Sequence, residues 1–402
     1  MSERYPGGLI RKTPPTITPP VAGEGGSASG VWTLADVLAG EKADIWPKPV
    51  LPRALYAWGS GASGQLGQNN VISASSPVQI GALTNWSQVS AGSSHSLSTK
   101  TDGTLWAWGS GSLGKLGDGS AINRSSPVQI GALTNWSQAS AGSSHSLSTK
   151  TDGTLWAWGY GGKGQLGDGT VISRSSPVQV GSLTNWSQVS AGNSHTASTK
   201  SDGTLWAWGY NNNGQLGQNN VTYRSSPVQI GTLTNWRQVS AGENFCASIK
   251  TDGTLWSWGN NGSGRLGDGT VINRSSPVQV GALTNWARVS VGSNHSSSIK
   301  TDGTLWAWGS NNDGQLGQNN TTSRSSPVQV GALTNWAQVS AAILGFMAVK
   351  TDGTLWGCGQ NGSGELGDAT TVTKSSPVQI GALTNWFQVA AGSTSTLAIT
   401  KG

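Results

Sequence analysis

The residues most able to do chemistry are four histidines, the chain's full complement. His95, His145, His195 and His295 share one register of a 50-residue spacing, and the other copies of that register carry Phe245, Gly345 and Ser395. A metal site needs ligands that converge on one point. Residues 50 apart, one per structural unit, do not converge, so these imidazoles read as buried structural groups. No Ser-His-Asp set accompanies them. Asp102, Asp152, Asp202, Asp252, Asp302 and Asp352 each precede a glycine in a turn, and Asp118, Asp168, Asp268 and Asp368 lie in glycine-rich loops, where turn chemistry accounts for them. Gly59-Ser60-Gly61-Ala62-Ser63-Gly64 matches a phosphate-binding spacing, but no helix pattern follows it, and phosphate capture needs one. Cys246 and Cys358 come from non-equivalent strands and read as buried thiols without a disulfide. Asn85-Trp86-Ser87 and its copies match a glycosylation sequon, but no secretory signal accompanies them. No catalytic residue, metal site or cofactor is expected.

Composition narrows the class further. The 402 residues include 59 Gly and 21 Trp but only 3 Phe and 5 Tyr, and charged residues are 10%, less than half of ordinary usage. So much tryptophan argues against disorder. No apolar run approaches 18 residues, so no membrane-spanning helix is expected. The amino-terminal Met-Ser-Glu-Arg-Tyr-Pro-Gly-Gly stretch lacks the apolar core of a secretory signal. The net charge of +6 is spread thinly: residues 1–54 hold 6 Lys/Arg against 5 Asp/Glu, and residues 55–402 hold 18 against 13. No run of like charge marks a nucleic-acid patch.

The elements that position these side chains come from an internal repeat. The segment TDGTLWAWG recurs at 101–109, 151–159 and 301–309, with variants at 201, 251 and 351, and SSPVQ recurs every 50 residues from 75 to 375. Seven copies fill residues 55–402 without insertion or deletion. Within one copy, 86–92 reads as a strand and 95–100 as a second. An Asp-Gly turn at Asp102-Gly103 follows, the strongest short hairpin signal. Residues 105–109 form a third strand, with Trp106 and Trp108 on one face and Leu105 and Ala107 on the other, and 127–130 a fourth, opened by Pro127 as suits an edge. Four short antiparallel strands per period, repeated seven times, predict an all-β, seven-bladed β-propeller. The phase predicts its closure. Leu55–Gly59 is a third strand lacking its hairpin partner, and Ser395–Thr400 is a second strand lacking its own. Pairing them closes the ring and leaves no free edges.

The pattern Trp-x-Trp-Gly, then Gly-Gln-Leu-Gly, Ser-Pro, Val-x-Ala-Gly-x-x-His and the Asp-Gly turn resembles the RCC1-like repeat over all of residues 55–402. That resemblance implies the seven-bladed propeller and no particular function. The family includes a nucleotide exchange factor on chromatin, a plant ultraviolet receptor and secreted enzyme inhibitors. This chain has neither the inserted wedge loop and basic tail of the first nor the Gly-Trp-Arg-His-Thr signature of the second.

The copies differ mainly in loops. One set follows Trp-x-Trp-Gly and supplies a candidate ligand face: Tyr160, Tyr210, Asn211, Asn212, Asn311 and Asn312. The other is an alternation of Gln68, Gln218 and Gln318 with Asp118, Asp168, Asp268 and Asp368. Amide- and tyrosine-rich loops suit sugars or polymers, although drift in tolerant loops produces the same pattern.

Residues 1–54 are of another kind. Thr13-Pro14-Pro15-Thr16-Ile17-Thr18-Pro19-Pro20 favours polyproline II, residues 23–30 are Gly/Ser-rich, and Thr33 with Asp36 caps an expected short helix near 33–39. Leu9, Ile10, Ile17, Trp32, Leu34 and Leu38 have no core of their own to enter, so they are expected to contact a partner. From Tyr5-Pro6-Gly7-Gly8-Leu9-Ile10 to Trp32-Thr33-Leu34 and Trp46-Pro47, this extended arm resembles an anchor module of virion proteins from tailed bacteriophages, notably marine and cyanobacterial ones. The resemblance implies a virion structural protein assembled in the host cytoplasm. The arm would be fastened to other virion proteins and the propeller displayed as a tail fibre component or capsid decoration. Such a protein is expected to be a homo-oligomer, a trimer if a fibre, contacting a host surface polysaccharide or protein, with no nucleic-acid or membrane-inserted partner. The alternative is a non-viral RCC1-like module that binds or inhibits a protein through one propeller face.

Overall fold

A computed structural model describes residues 53–401. The expected arm, its helix at 33–39 and the arm contacts from Leu9 to Leu38 lie outside the described residues. Seven four-stranded antiparallel sheets stand around an axis. In the first blade the strands run, from the axis outward, Trp86–Ala91, His95–Lys100, Leu105–Gly109 and Arg124–Gln129. Five more blades repeat this order at 50-residue steps, and inner strands of neighbouring blades touch one another along the axis. Blades 1 to 6 are numbered from Trp86; the closing blade joins Trp386–Ala391 and Ser395–Thr400 to Leu55–Gly59 and Ala74–Gln79.

Two strands differ from expectation in their limits. The inner strand ends at Ala91, one residue before Gly92. The outer strand starts at Arg124, placing Pro127 fourth. The ladder pairs Gly109 with Arg124 and then Ala107 with Val128, so Ser125, Ser126 and Pro127 all lie opposite Trp108. A bulge absorbs the residue that has no N–H to donate. The repeat is also not wholly free of helix: Ser112–Gly114 makes a single 3-10 turn.

The core lies between blades rather than within them. Leu105, Ala107 and Leu116 of one copy pack with Trp136 and Trp158 of the next. Trp58, Trp108, Trp158, Trp208, Trp258 and Trp308 are 0% exposed, as expected from a strand apolar on both faces. Each indole N–H donates across the junction: that of Trp108 reaches the Gln65 carbonyl at 2.9 Å and that of Trp158 the Lys115 carbonyl at 3.0 Å. Near the axis, the Gln88 amide exchanges two 2.9 Å bonds with the Ala139 backbone, and the Ser90 hydroxyl accepts from Ala141 N–H at 2.9 Å.

Closure follows the phase of the repeat. Leu55 pairs with Ile399, Ala57 with Leu397 and Gly59 with Ser395. At that seam the usual lysine is Thr400, and the Arg53 guanidinium instead covers the Phe387 ring at 4.4 Å.

Candidate functional site

The two faces of the ring are chemically distinct. One carries the Asp-Gly turns, where the Asp102 carboxylate accepts from Thr104 N–H at 3.0 Å and Thr104 Oγ1 at 2.6 Å. On this turn face Leu83 and its six counterparts are 43–51% exposed. Both ends of the propeller meet there: Arg53 N–H bonds the Thr84 carbonyl and Lys401 N–H the Asn385 carbonyl. The opposite face, where the inner strands end, carries the long loops.

The histidines line neither face. All four are 0–1% exposed, and three of them bridge toward the neighbouring blade. His95 Nε2 lies 2.8 Å from Ser146 Oγ, His145 Nε2 3.0 Å from Thr196 Oγ1, and His195 Nε2 3.2 Å from Cys246 Sγ. Burial holds their pKa values low, at about 3 for His145 and about 4 for His195 and His295. Cys246 and Cys358 are buried and unlinked, with burial pushing both thiols up. Among the described residues no group of three or more His, Cys, Asp or Glu is placed to hold a metal ion.

At the axial mouth of the long-loop face is a cavity of about 360 Å3, walled by the residues that follow the inner strands. Its rim is tied blade to blade through bonds such as Ser93 N–H to the Gly142 carbonyl at 3.3 Å and Ser93 Oγ to Ser143 Oγ at 3.0 Å. Glu243 is the rim's one carboxylate and accepts from the Ser293 hydroxyl. The expected ligand-face residues separate here. Tyr210 and Tyr223 meet at a 56° tilt with 4.8 Å between ring centres, and the Lys163 ammonium lies 5.8 and 5.7 Å from them. Burial and then the Tyr210 hydroxyl push the Tyr223 phenol up. Asn212 and Asn312 are exposed, while Tyr160 is half-buried over Gly162 of its own loop.

Asn211 and Asn311 do not belong to that face. Both are 0% exposed. The Asn211 amide donates to the Asn220 and Thr222 carbonyls at 3.0 Å and accepts from Leu216 N–H at 2.9 Å, and Asn311 does the same with Asn320, Thr322 and Leu316. They clamp their loops from inside, because a loop this short needs a side chain to satisfy its backbone.

A third surface escaped sequence reasoning: grooves on the flank at the blade junctions. The groove between blades 3 and 4 has about 550 Å3, that between the closing blade and blade 1 about 500 Å3, and that between blades 1 and 2 about 340 Å3. Each is walled by an exposed leucine, a Ser-Pro pair from the next blade and an inner-strand Trp. In blades 1 to 6 a lysine lies over two indoles; Lys250 sits 3.7 Å from Trp256 and 4.7 Å from Trp236. A lysine at the same place in six copies, each between two tryptophans in sequence, was the available signal.

Comparison with known proteins accords with this architecture. Residues 172–402 match the RCC1-like domain, and residues 54–98 and 102–148 match the regulator of chromosome condensation (RCC1) repeat. No curated protein matches the chain. Human WBSCR16 superposes with a TM-score of 0.79 at 19% identity, covering 87% of this chain and 99% of that one. Yeast RCC1 (Prp20), solved bound to Kap60, gives 0.78 at 20% identity, covering 88% and 89%. Prp20p of Saccharomyces cerevisiae, described with its binding to Gsp1p and histones, gives 0.76 at 20%, covering 88% and 92%. Identities this low establish the shared fold alone.

Proposed function

This chain belongs to the RCC1-like domain family, and we propose that it serves as a structural display protein of a bacteriophage virion. Residues 1–54 anchor it and the propeller carries ligand surfaces outward. The observation that carries this reading is the position of the propeller's two ends. Arg53 and Lys401 both sit on the turn face, so the long-loop face, with its tyrosine pair, is the propeller face opposite the point where residues 1–52 join. The resemblance of the arm to phage anchor modules supplies the particle. The propeller acts by binding rather than catalysis, since its histidines and thiols are sealed between blades.

Deleting residues 1–54 tests the reading. Particles are expected to lose the protein, by mass spectrometry of purified virions, while the truncated propeller keeps its folded circular dichroism. Absence of the full-length protein from particles, or incorporation without the arm, overturns it. The Tyr210, Tyr223 and Lys163 sector favours a second reading, a protein-binding module, because tyrosine-rich patches dominate protein-recognition surfaces. In that case capture of the protein partner persists without the arm and is lost on Tyr210→Ala.

A further inference from the structure

The Gln/Asp alternation decides the charge of the flank grooves. Where the loop carries Asp, the first residue of the outer strand is neutralised. Asp118 holds Arg124 at 2.8 Å, Asp168 holds Arg174 at 2.8 Å, Asp268 holds Arg274 at 2.9 Å and Asp368 holds Lys374 at 3.3 Å. Where the loop carries Gln, no carboxylate among the described residues replaces it. Among the described residues, the Arg224 side chain makes one hydrogen bond, a 3.4 Å contact to Gln218 Oε1, and Arg324 makes none. The third Gln copy, Gln68, precedes Ala74 and so carries no cation. Beyond the lysine that each of blades 1 to 6 lays over its indoles, one repeat has therefore produced three kinds of groove: those whose outer-strand cation is ion-paired, one that lacks that cation, and those whose arginine meets no carboxylate among the described residues.

Arg224 stands in the wall of the 550 Å3 groove, with Asn219, Asn220, Leu233, Pro277, Trp256 and Lys250 around it, the Lys250 ammonium 3.7 Å over the Trp256 ring. A volume of this size is that of a small-molecule site. A leucine and a proline offer an apolar bed for a ring, the amides offer hydrogen bonds, and a guanidinium offers a two-toothed grip on a carboxylate. In blade 5 the same register holds Arg324, Asn319 and Asn320, so the repeat implies a second copy of this arrangement. Equivalent sites repeated around a ring suit a polymer with a repeating unit and gain avidity from it.

We propose that the grooves headed by Arg224 and Arg324 bind an acidic saccharide, a pyranose bearing a carboxylate, two units to each chain. The ring lies on the leucine and proline beside Trp256 or Trp356, whose indoles the lysines cover, the hydroxyls meet the paired asparagines, and the carboxylate meets the arginine. The Asp-type grooves reject the same ligand because Asp118, Asp168 and Asp268 occupy their guanidinium groups and repel a second carboxylate. The virion reading supplies only the setting; binding is measured on the isolated full chain and stands or falls without it.

The test is isothermal titration of the full chain with tetragalacturonate, with the fully methyl-esterified tetramer as the uncharged control. Two sites per chain are expected, with binding at least tenfold weaker for the ester and weakened by salt. Arg224→Ala and Arg324→Ala should each leave one site, and the double variant none. Ala74→Arg, which adds a cation beside Gln68, should give a third site, and Asp168→Asn, which releases Arg174, should also add one. These gains keep the inference falsifiable should the loss variants misfold. Equal binding of the ester, retention of both sites in the double variant, equal binding of a short polyglutamate peptide, or no added site in either gain variant overturns it.

Discussion

Blade 6 holds a compensated exchange that can be reversed. In the other blades the third strand carries a fully buried Trp, and a small residue lies across from it on the second strand, as Ser96 lies across from Trp108. In blade 6 the sizes are swapped: Phe346 lies across from Cys358, and both are 0% exposed. The hydrogen bonds changed with the swap. Gln65 O accepts from Trp108 Nε1 at 2.9 Å and Ser96 Oγ at 3.0 Å, whereas Gln315 O has only Cys358 Sγ at 3.9 Å. Cys358→Trp alone adds an indole to a full site, and overpacking of this kind costs about 1–3 kcal/mol. Phe346→Ser alone empties the site, a loss of about 3–5 kcal/mol. The two together restore the common pair and two bonds to Gln315 O, each worth about 1 kcal/mol. The double variant should match or exceed the parent, so the coupling is about 4–8 kcal/mol in the stabilising direction, beyond what contacting residues usually show. Urea unfolding of the parent, both single variants and the double variant measures it. Additive losses in the double variant would refute the reasoning that Phe346 fills the missing indole's place.

The seam gives a second expectation: removing residues 395–402 leaves Leu55–Gly59 an open edge, so the shortened chain should aggregate on size-exclusion chromatography while the parent elutes as a discrete species. The histidines give a third. The folded pKa values of about 3 for His145 and about 4 for His195 and His295 lie below the unfolded value near 6.5, and burial holds His95 low as well. The unfolded chain therefore binds more protons between those limits, and stability falls as pH drops below 6.5 by about 1.4 kcal/mol per unit for each histidine once below that value. His195→Phe, the residue that Phe245 already places at this register, should flatten the denaturation midpoint between pH 6 and 4.5; an unchanged slope counts against the argument. A fourth concerns the bulge: Pro127→Val should leave stability within about 0.5 kcal/mol by thermal melting, because Pro127 lies in the unpaired stretch opposite Trp108.

The repeat made the fold legible before any coordinates. A 50-residue period with an Asp-Gly turn, a strand apolar on both faces and a third strand orphaned at Leu55 fixes blade number, strand order and the closing pair, because hairpin pairing and side alternation are local properties of the chain. The same spacing places the histidines one to a blade. What the sequence could not settle depends on where a loop folds back. Asn211 and Asn212 are neighbours in the same loop, yet one is sealed against three backbone partners and the other meets solvent. The Gln/Asp alternation was plain as a pattern, but its meaning lay in which cation each residue reaches six positions later and in the groove that the next blade's Ser-Pro pair completes. Burial of a polar loop side chain, and the charge of a surface made by two blades, are set by contacts across a junction, and only the closed ring brings those contacts together.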